Sequence, residues 1–391
     1  MPPQENAGTN AGGPLTGAVP VPSGQTESGG SPRMPHAAVI ASVAIVVIAA
    51  SLYWYKLSNS GGAAPMLAKT YAIGITYYPQ QNDAVIGFKK SMESLGYKEG
   101  VNVRYDLAKV SVGPTMMEEF KTAIDRMVGD NVDLIYATFE NQASVALEST
   151  KKLAPGLPVV FITRFHDPVE YGLISSYKSS GNNATGVATN ISETIGRTLG
   201  FLKEIRPGLK KLGVFGDGFM VGDIGGAYLI ELRKQASKFG MTLVEYKTSA
   251  PPGEAEAEFH RVAASIKPGD IDGIFHIAGH YIGPQEALEN DLAVRLKVPM
   301  SAPNEDLPNG GMLSYSDLAS AAGEQAAVVA DKIFKGAKPA DIPVEFNAKS
   351  ELTLVLGRAR AAGITFPDSM LFIAANKYED GSSFPEVLRE R

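Results

Sequence analysis

The run Arg164, Phe165, His166, Asp167 sets a cation, an aromatic ring, an imidazole and a carboxylate side by side, directly after the apolar stretch Pro158-Val-Val-Phe-Ile-Thr163. A short β-rich apolar run of that kind reads as a strand buried on both faces of a parallel sheet. In open α/β sheets, ligands lie in the crevice beyond the carboxyl ends of such strands. The chemistry on offer is therefore recognition: charge pairing, hydrogen bonding and ring stacking. Asp167-Pro168 also reads as a helix start, with Asp as N-cap and Pro at the first helical position. Capping and ligand contact are both open for Asp167 at this level.

Other strand ends add candidates. Thr138 and Phe139 close the apolar run 132–138 just before a helix. Thr138 is either a cap or part of a helix N-terminus whose free N–H groups receive a ligand carboxylate. Tyr77-Tyr78-Pro79 follows the first strand and is either a stacking surface or turn packing. Further along, Asp217 lies in the glycine-rich loop 216–222, where missing side chains allow the backbone to approach a ligand. That loop is neither a correctly placed Gly-x-Gly-x-x-Gly nor a Gly-Lys-Ser/Thr loop, which excludes nucleotide binding. His276 and His280, with His166, raise the question of a transition metal. Four residues along an extended strand separate two histidines by about 13 Å, so no metal site is assigned. His280 and Tyr315 stay as ligand candidates. No Gly-x-Ser-x-Gly elbow or His-Glu-x-x-His helix is present, and no enzyme is expected. Glu254, Glu256 and Glu258 fan around a helix and read as a solvated face.

The elements that must position these residues follow a regular rhythm. From Tyr71 onward, short apolar strands alternate with amphipathic helices, such as the one with Val85, Phe88, Met92 and Leu95 on one face and Gly96 as its stop. The pattern restarts after residue 190. Alternation of this kind gives two doubly wound parallel-sheet lobes joined by a hinge, with strand ends facing each other across a cleft. The boundaries read as 70–188 plus 315–337 for lobe 1 and 189–314 plus 338–376 for lobe 2, with a frayed tail over 377–391. The chain of 391 residues, 44% of them hydrophobic, is large enough for two cores. The formal charge of -6 comes without a basic run, so nucleic acid is not an expected partner. The absence of cysteine excludes disulfides, thiolate metal sites and a lipidated cysteine tether.

Residues 1–33 are rich in Gly, Pro and Ser and read as a disordered tail. Residues 34–56 hold a run of apolar side chains closed by Tyr53, Trp54 and Tyr55, which reads as one transmembrane helix. Residues 57–69 read as a linker. Cleavage of this segment as a signal peptide, with Met34 as an alternative start, is left open.

A strand ending in Asp167-Pro168, then Gly172-Leu173, then Asn183-x-Thr185-Gly186-Val187 resembles the substrate-binding proteins of ABC importers, in their tryptophan/tyrosine-type subgroup. The run 335–345 and Ala359-x-x-x-Gly363-Ile-x-x-Pro367 are similar to that subgroup's closing segments. The resemblance implies a type I periplasmic-binding-protein fold and a small-molecule ligand, an amino acid as the leading guess. It also implies an ABC permease and ATPase as partners, and no cofactor. Ligand contacts are then expected from Tyr77, Tyr78, Thr138, Phe139, Arg164, His166, Asp167, Asp217, His280 and Tyr315. With the apolar segment as anchor, the large domain would sit outside the cytoplasmic membrane. A sensing receptor working with a signalling partner is the alternative, and a two-lobed glycosyltransferase-like enzyme a more distant one. Val355-Leu356-Gly357 and the 216–222 loop depart from the subgroup's pattern.

Overall fold

The computed structural model describes residues 69–384 except 112, 217–222, 252 and 278–284. The first lobe is built around β1 (Tyr71–Tyr77), whose YAIGITY sequence is buried along nearly its whole length. The strands β2 (Val103–Lys109), β3 (Leu134–Ala137), β4 (Val159–Ile162) and β5 (Ala184–Ala188) join it in the order β2-β1-β3-β4-β5. All of these pairings are parallel. Between them run α1 (Asn82–Ser94), α2 (Met116–Gly129) and α3 (Glu140–Leu153). Ile73, Ile75, Phe88 and Tyr136 fill one side of the sheet, and Phe120, Ile124, Met127 and Phe161 fill the other. Burial of both faces explains why the strands read as unbroken apolar runs.

The second lobe repeats the winding. After α4 (Ile191–Ile205) come β6 (Lys211–Gly216), α5 (Asp223–Lys238), β7 (Thr242–Lys247), α6 (Ala255–Ser265), β8 (Gly273–Phe275), α7 (Gln285–Leu296), β9 (Met300–Ser301) and β10 (Leu313–Asp317). Their order is β7-β6-β8-β9-β10. Then α8 (Ala319–Phe334) returns to the first lobe and packs on α1. Next β11 (Glu345–Phe346) pairs parallel with β5. Finally β12 (Ser350–Val355), α9 (Leu356–Ala361), α10 (Asp368–Ile373) and β13 (Asn376–Tyr378) complete the second lobe. Here β12 lies antiparallel to β10, an exception to the all-parallel expectation.

The chain crosses between lobes three times, near 189, 318 and 347–349, and the crossings are hydrogen-bonded to one another. Asn347 N–H donates to Ala188 C=O at 2.9 Å, Leu318 N–H to Lys349 C=O at 2.9 Å, and the Asn347 side-chain amide to Leu318 C=O at 2.9 Å. The second and third crossings fall later than the sequence suggests. Residues 311–315, expected to carry the chain back to lobe 1, instead lead into β10, which lies beside β9, with Gly311 at φ +94. Tyr315 is thereby a residue of lobe 2. The segment after 376 also differs from the frayed tail expected: β13 pairs with β12, and Tyr378 stacks on the buried Phe384 at 4.0 Å.

The expected transmembrane helix is not found. Among the described residues, no helix is long and apolar enough to cross a membrane. Residues 34–56 lie outside the described residues, as do the 1–33 tail and most of the 57–69 linker. The transmembrane element is therefore withdrawn from the fold, together with the anchored localisation and the membrane partner that rested on it.

Candidate functional site

The carboxyl ends of β4, β8, β9 and β10 converge on one cavity. Lobe 1 contributes Arg164 and Phe165. Lobe 2 contributes Tyr228, Phe275, His276, Ser301, Glu305, Tyr315 and Asp317, and Thr189 comes from the first crossing. Parallel strands end in loops free of ladder bonding, which is why polar side chains collect here.

Arg164 is held from behind. Glu140, the first residue of α3, is fully buried and accepts the Arg164 N–H at 2.8 Å and the Phe165 N–H at 2.9 Å. Its Oε1 also pairs with His166 Nδ1 at 2.8 Å. These bonds fix the backbone that aims the guanidinium across the cleft, where it forms an ion pair with Glu305 of lobe 2. Both side chains are 9% exposed. Burial pulls against the Arg164 charge, but Glu305, Asp317 and Glu140 outweigh it and hold the group above its ordinary range. A guanidinium carries five donors in a planar fork. Only one of them is used by the bond to Glu305 among the described residues. Phe165 meets Tyr228 across the same boundary, edge to face at 5.3 Å.

Asp317 forms the hinge side of the cavity. The Ser350 hydroxyl donates to its Oδ1, whereas Oδ2 is buried without a hydrogen-bond partner among the described residues. Burial pushes this carboxyl up, while Ser350, Arg164, Thr189 and the Asn190 N–H draw it down less strongly. The Ser301 hydroxyl is likewise buried and unpartnered.

His276 mirrors His166 in the other lobe. Its Nδ1 pairs at 3.0 Å with the fully buried Glu289 of α7, and its Nε2 lies 3.5 Å from Asp306. Burial would lower the imidazole, but the two carboxylates prevail and hold it well above its ordinary value of 6.5. A group raised in the folded state contributes stability that is full below its unfolded value and is lost as pH rises through the folded one. The melting temperature should therefore decline as pH is raised above about 6.5. Melting curves of His276→Gln over the same range should be flatter, and parallel curves would remove His276 from this account.

The other expected residues are placed differently. Tyr77 packs into the core of lobe 1. The Tyr78 hydroxyl accepts from Asn141 Nδ2 at 2.7 Å, and its ring lies 5.4 Å from Phe139. Thr138 is fully buried and donates to Thr76 C=O at 3.2 Å. Phe139 reaches the cleft only through Phe165, 5.5 Å away. None of these four lines the cavity. His166 stays with Glu140 behind the wall. Asp167 is a cap: its Oδ1 accepts the Val169 and Glu170 N–H groups at 2.8 and 3.1 Å, and its Oδ2 the Tyr177 hydroxyl at 2.8 Å. It borders a neighbouring groove with Tyr177, Ile191, Lys234 and Phe346. Asp217 and His280 lie outside the described residues. Of the ten, Arg164 and Tyr315 line the cavity. Glu305, Asp317, Tyr228 and Ser301 escaped the sequence reading, although the strand-end rule that found Arg164 applies equally to the loop after β9.

Because both Asp167 oxygens are already engaged, Asp167→Asn should leave ligand affinity within about twofold of wild type, since Asn and Asp cap equally well. Titration calorimetry of the variant beside its melting curve checks this. A tenfold loss in a normally folded variant would return Asp167 to the binding site.

Comparison with known proteins follows this geometry. The family described as ABC transporter substrate binding protein matches residues 73–378. A tyrosine-binding protein of Clostridioides difficile is 27% identical over 283 residues, covering 71% of this chain and 75% of that protein. Among solved structures, an ABC domain from Streptococcus pneumonia in complex with L-Trp superposes with a TM-score of 0.65 at 20% identity, over 79% of this chain and 100% of that one. A ligand-free, open substrate binding protein with adhesive properties from Clostridium difficile gives a TM-score of 0.61 at 21% identity, over 79% and 100%.

Proposed function

The chain belongs to the ABC transporter substrate-binding protein family, a family of non-catalytic binding proteins, and from that premise we propose that it delivers an amino acid to an ABC importer. The observation that carries the ligand class is the ion pair between Arg164 and Glu305, which joins the two lobes inside the cavity. An amino acid bears the same two charges in reverse. Its carboxylate takes donors of the Arg164 fork that Glu305 leaves free, in the planar arrangement that guanidinium and carboxylate share. Its ammonium takes the second oxygen of Glu305. The rings of Phe165, Tyr228, Phe275 and Tyr315 offer apolar walls to the side chain. The relatives named for tyrosine and L-Trp support the same ligand class.

The mechanism is hinge closure. A ligand that touches Arg164 on one lobe and Glu305 on the other binds the closed arrangement better than an open one, and it shifts the equilibrium by that difference. The three crossings near 189, 318 and 347–349 are the segments that must flex. A thermal-shift screen of the purified protein against amino acids, nucleosides and sugars tests the reading. Ligand at a hundred times its dissociation constant should stabilise the fold by about 2.7 kcal/mol. Stabilisation by amino acids alone is the expected result. A response confined to sugars or nucleosides would overturn it.

A further inference from the structure

Of the two carboxylates that line the cavity, Glu305 is ion-paired with Arg164, whereas Asp317 is in no ion pair among the described residues. Asp317 is only 6% exposed and its Oδ2 has no hydrogen-bond partner among the described residues. Ser301, 2% exposed, has no hydrogen-bond partner for its hydroxyl oxygen among the described residues of the same wall. Buried carboxylates are expensive unless paired. The faces of Phe275, Tyr228 and Tyr315 add negative π density around the same space.

Resting on the amino-acid reading above, we propose that the ligand carries a second positive charge: the cleft takes a basic amino acid, its side-chain cation received by Asp317 and Ser301 among the aromatic rings. A neutral amino acid satisfies Arg164 and Glu305 and offers nothing to Asp317 Oδ2. An anionic one adds a further carboxylate beside Asp317. A basic one uses Arg164, Glu305 and Asp317 together. Asp317 is then the specificity-determining residue, and its bond to Ser350 ties ligand recognition to the third crossing of the hinge.

The test is calorimetric titration of the purified protein with L-lysine, L-arginine and L-ornithine, with L-leucine, L-tyrosine and L-tryptophan, with L-glutamate, and with putrescine as a cation lacking a carboxylate. The basic amino acids should bind about 10- to 100-fold more tightly than the neutral ones, the size of one charge-assisted hydrogen bond. In Asp317→Asn, that gap should close, the basic amino acids losing about 10- to 100-fold in affinity. Tighter binding of L-tyrosine, L-tryptophan or L-leucine than of L-lysine would overturn the inference and leave the amino-acid reading standing. Binding of putrescine with no amino acid bound would overturn the amino-acid reading and keep the cationic ligand. An equal loss for basic and neutral amino acids in the Asn variant would remove Asp317 from specificity.

Discussion

Arg164→Gln is expected to weaken amino-acid binding by roughly thirtyfold to several thousandfold, the equivalent of about 2–5 kcal/mol for truncating one partner of a buried, hydrogen-bonded charge pair. Two losses combine. The ligand carboxylate no longer meets a planar cationic fork, and Glu305, itself 9% exposed, stays in the cleft without its cation. Arg164→Lys separates them, because it restores the charge as a point but not the fork, and it should fall between wild type and Gln. The ligand-free variant should also differ from wild type. The ion pair links lobe 1 to lobe 2, so its removal should shift the population toward open forms. Small-angle scattering of the ligand-free proteins would record that as a larger radius of gyration for Arg164→Gln. Wild-type affinity in the Gln variant would refute the placement of the ligand against Arg164.

Gly323→Val should lower the stability of lobe 1 by roughly 3 kcal/mol or more, at the upper end of the overpacking range. Helices α1 and α8 approach so closely that a Cβ on Gly323 would lie 2.0 Å from the Ala84 carbonyl oxygen, and one on Gly87 would lie 2.1 Å from that of Ser320. These neighbours are backbone atoms and cannot rotate away, so the helices must separate. A better helix former recovers only about 1 kcal/mol at most against glycine. With about 2–4 °C lost per kcal/mol in a lobe of this size, melting should begin roughly 6–12 °C earlier. Because α8 reaches lobe 1 from beyond the second crossing, scanning calorimetry should resolve an early lobe 1 transition from an unshifted lobe 2 transition. Gly129→Ala, at the end of α2 with nothing within 4 Å of the added atom, should be close to neutral. An unshifted trace for Gly323→Val would mean that the two helices are not held at this distance.

Both predictions rest on contacts between distant parts of the chain, and that marks where sequence reading stops. The order of strands and helices, and their division into two doubly wound lobes, was legible because helical and strand periodicity is local. The strand-end rule identified Arg164 from an apolar run followed by polar residues, and a carboxyl end of a parallel strand faces the crevice whatever its neighbours are. What the rule does not supply is direction. Tyr78 and Thr138 stand at equivalent strand ends, yet both turn into lobe 1, where Asn141 and Thr76 engage them. Asp167 could be a cap or a ligand contact by residue type, and the nearby Val169, Glu170 and Tyr177 groups decide for the cap. Glu305 lies 141 positions from Arg164, and no local pattern announces that pair. Whether residues 311–315 cross to lobe 1 or lead into β10 beside β9 depends on which strand edge is free to accept them. Local pattern thus determined the elements and the general location of the cleft. The facing charges inside it, Arg164 against Glu305 with Asp317 beside them, arise only when the two lobes meet, because burial and pairing are properties of the closed surface and not of either segment.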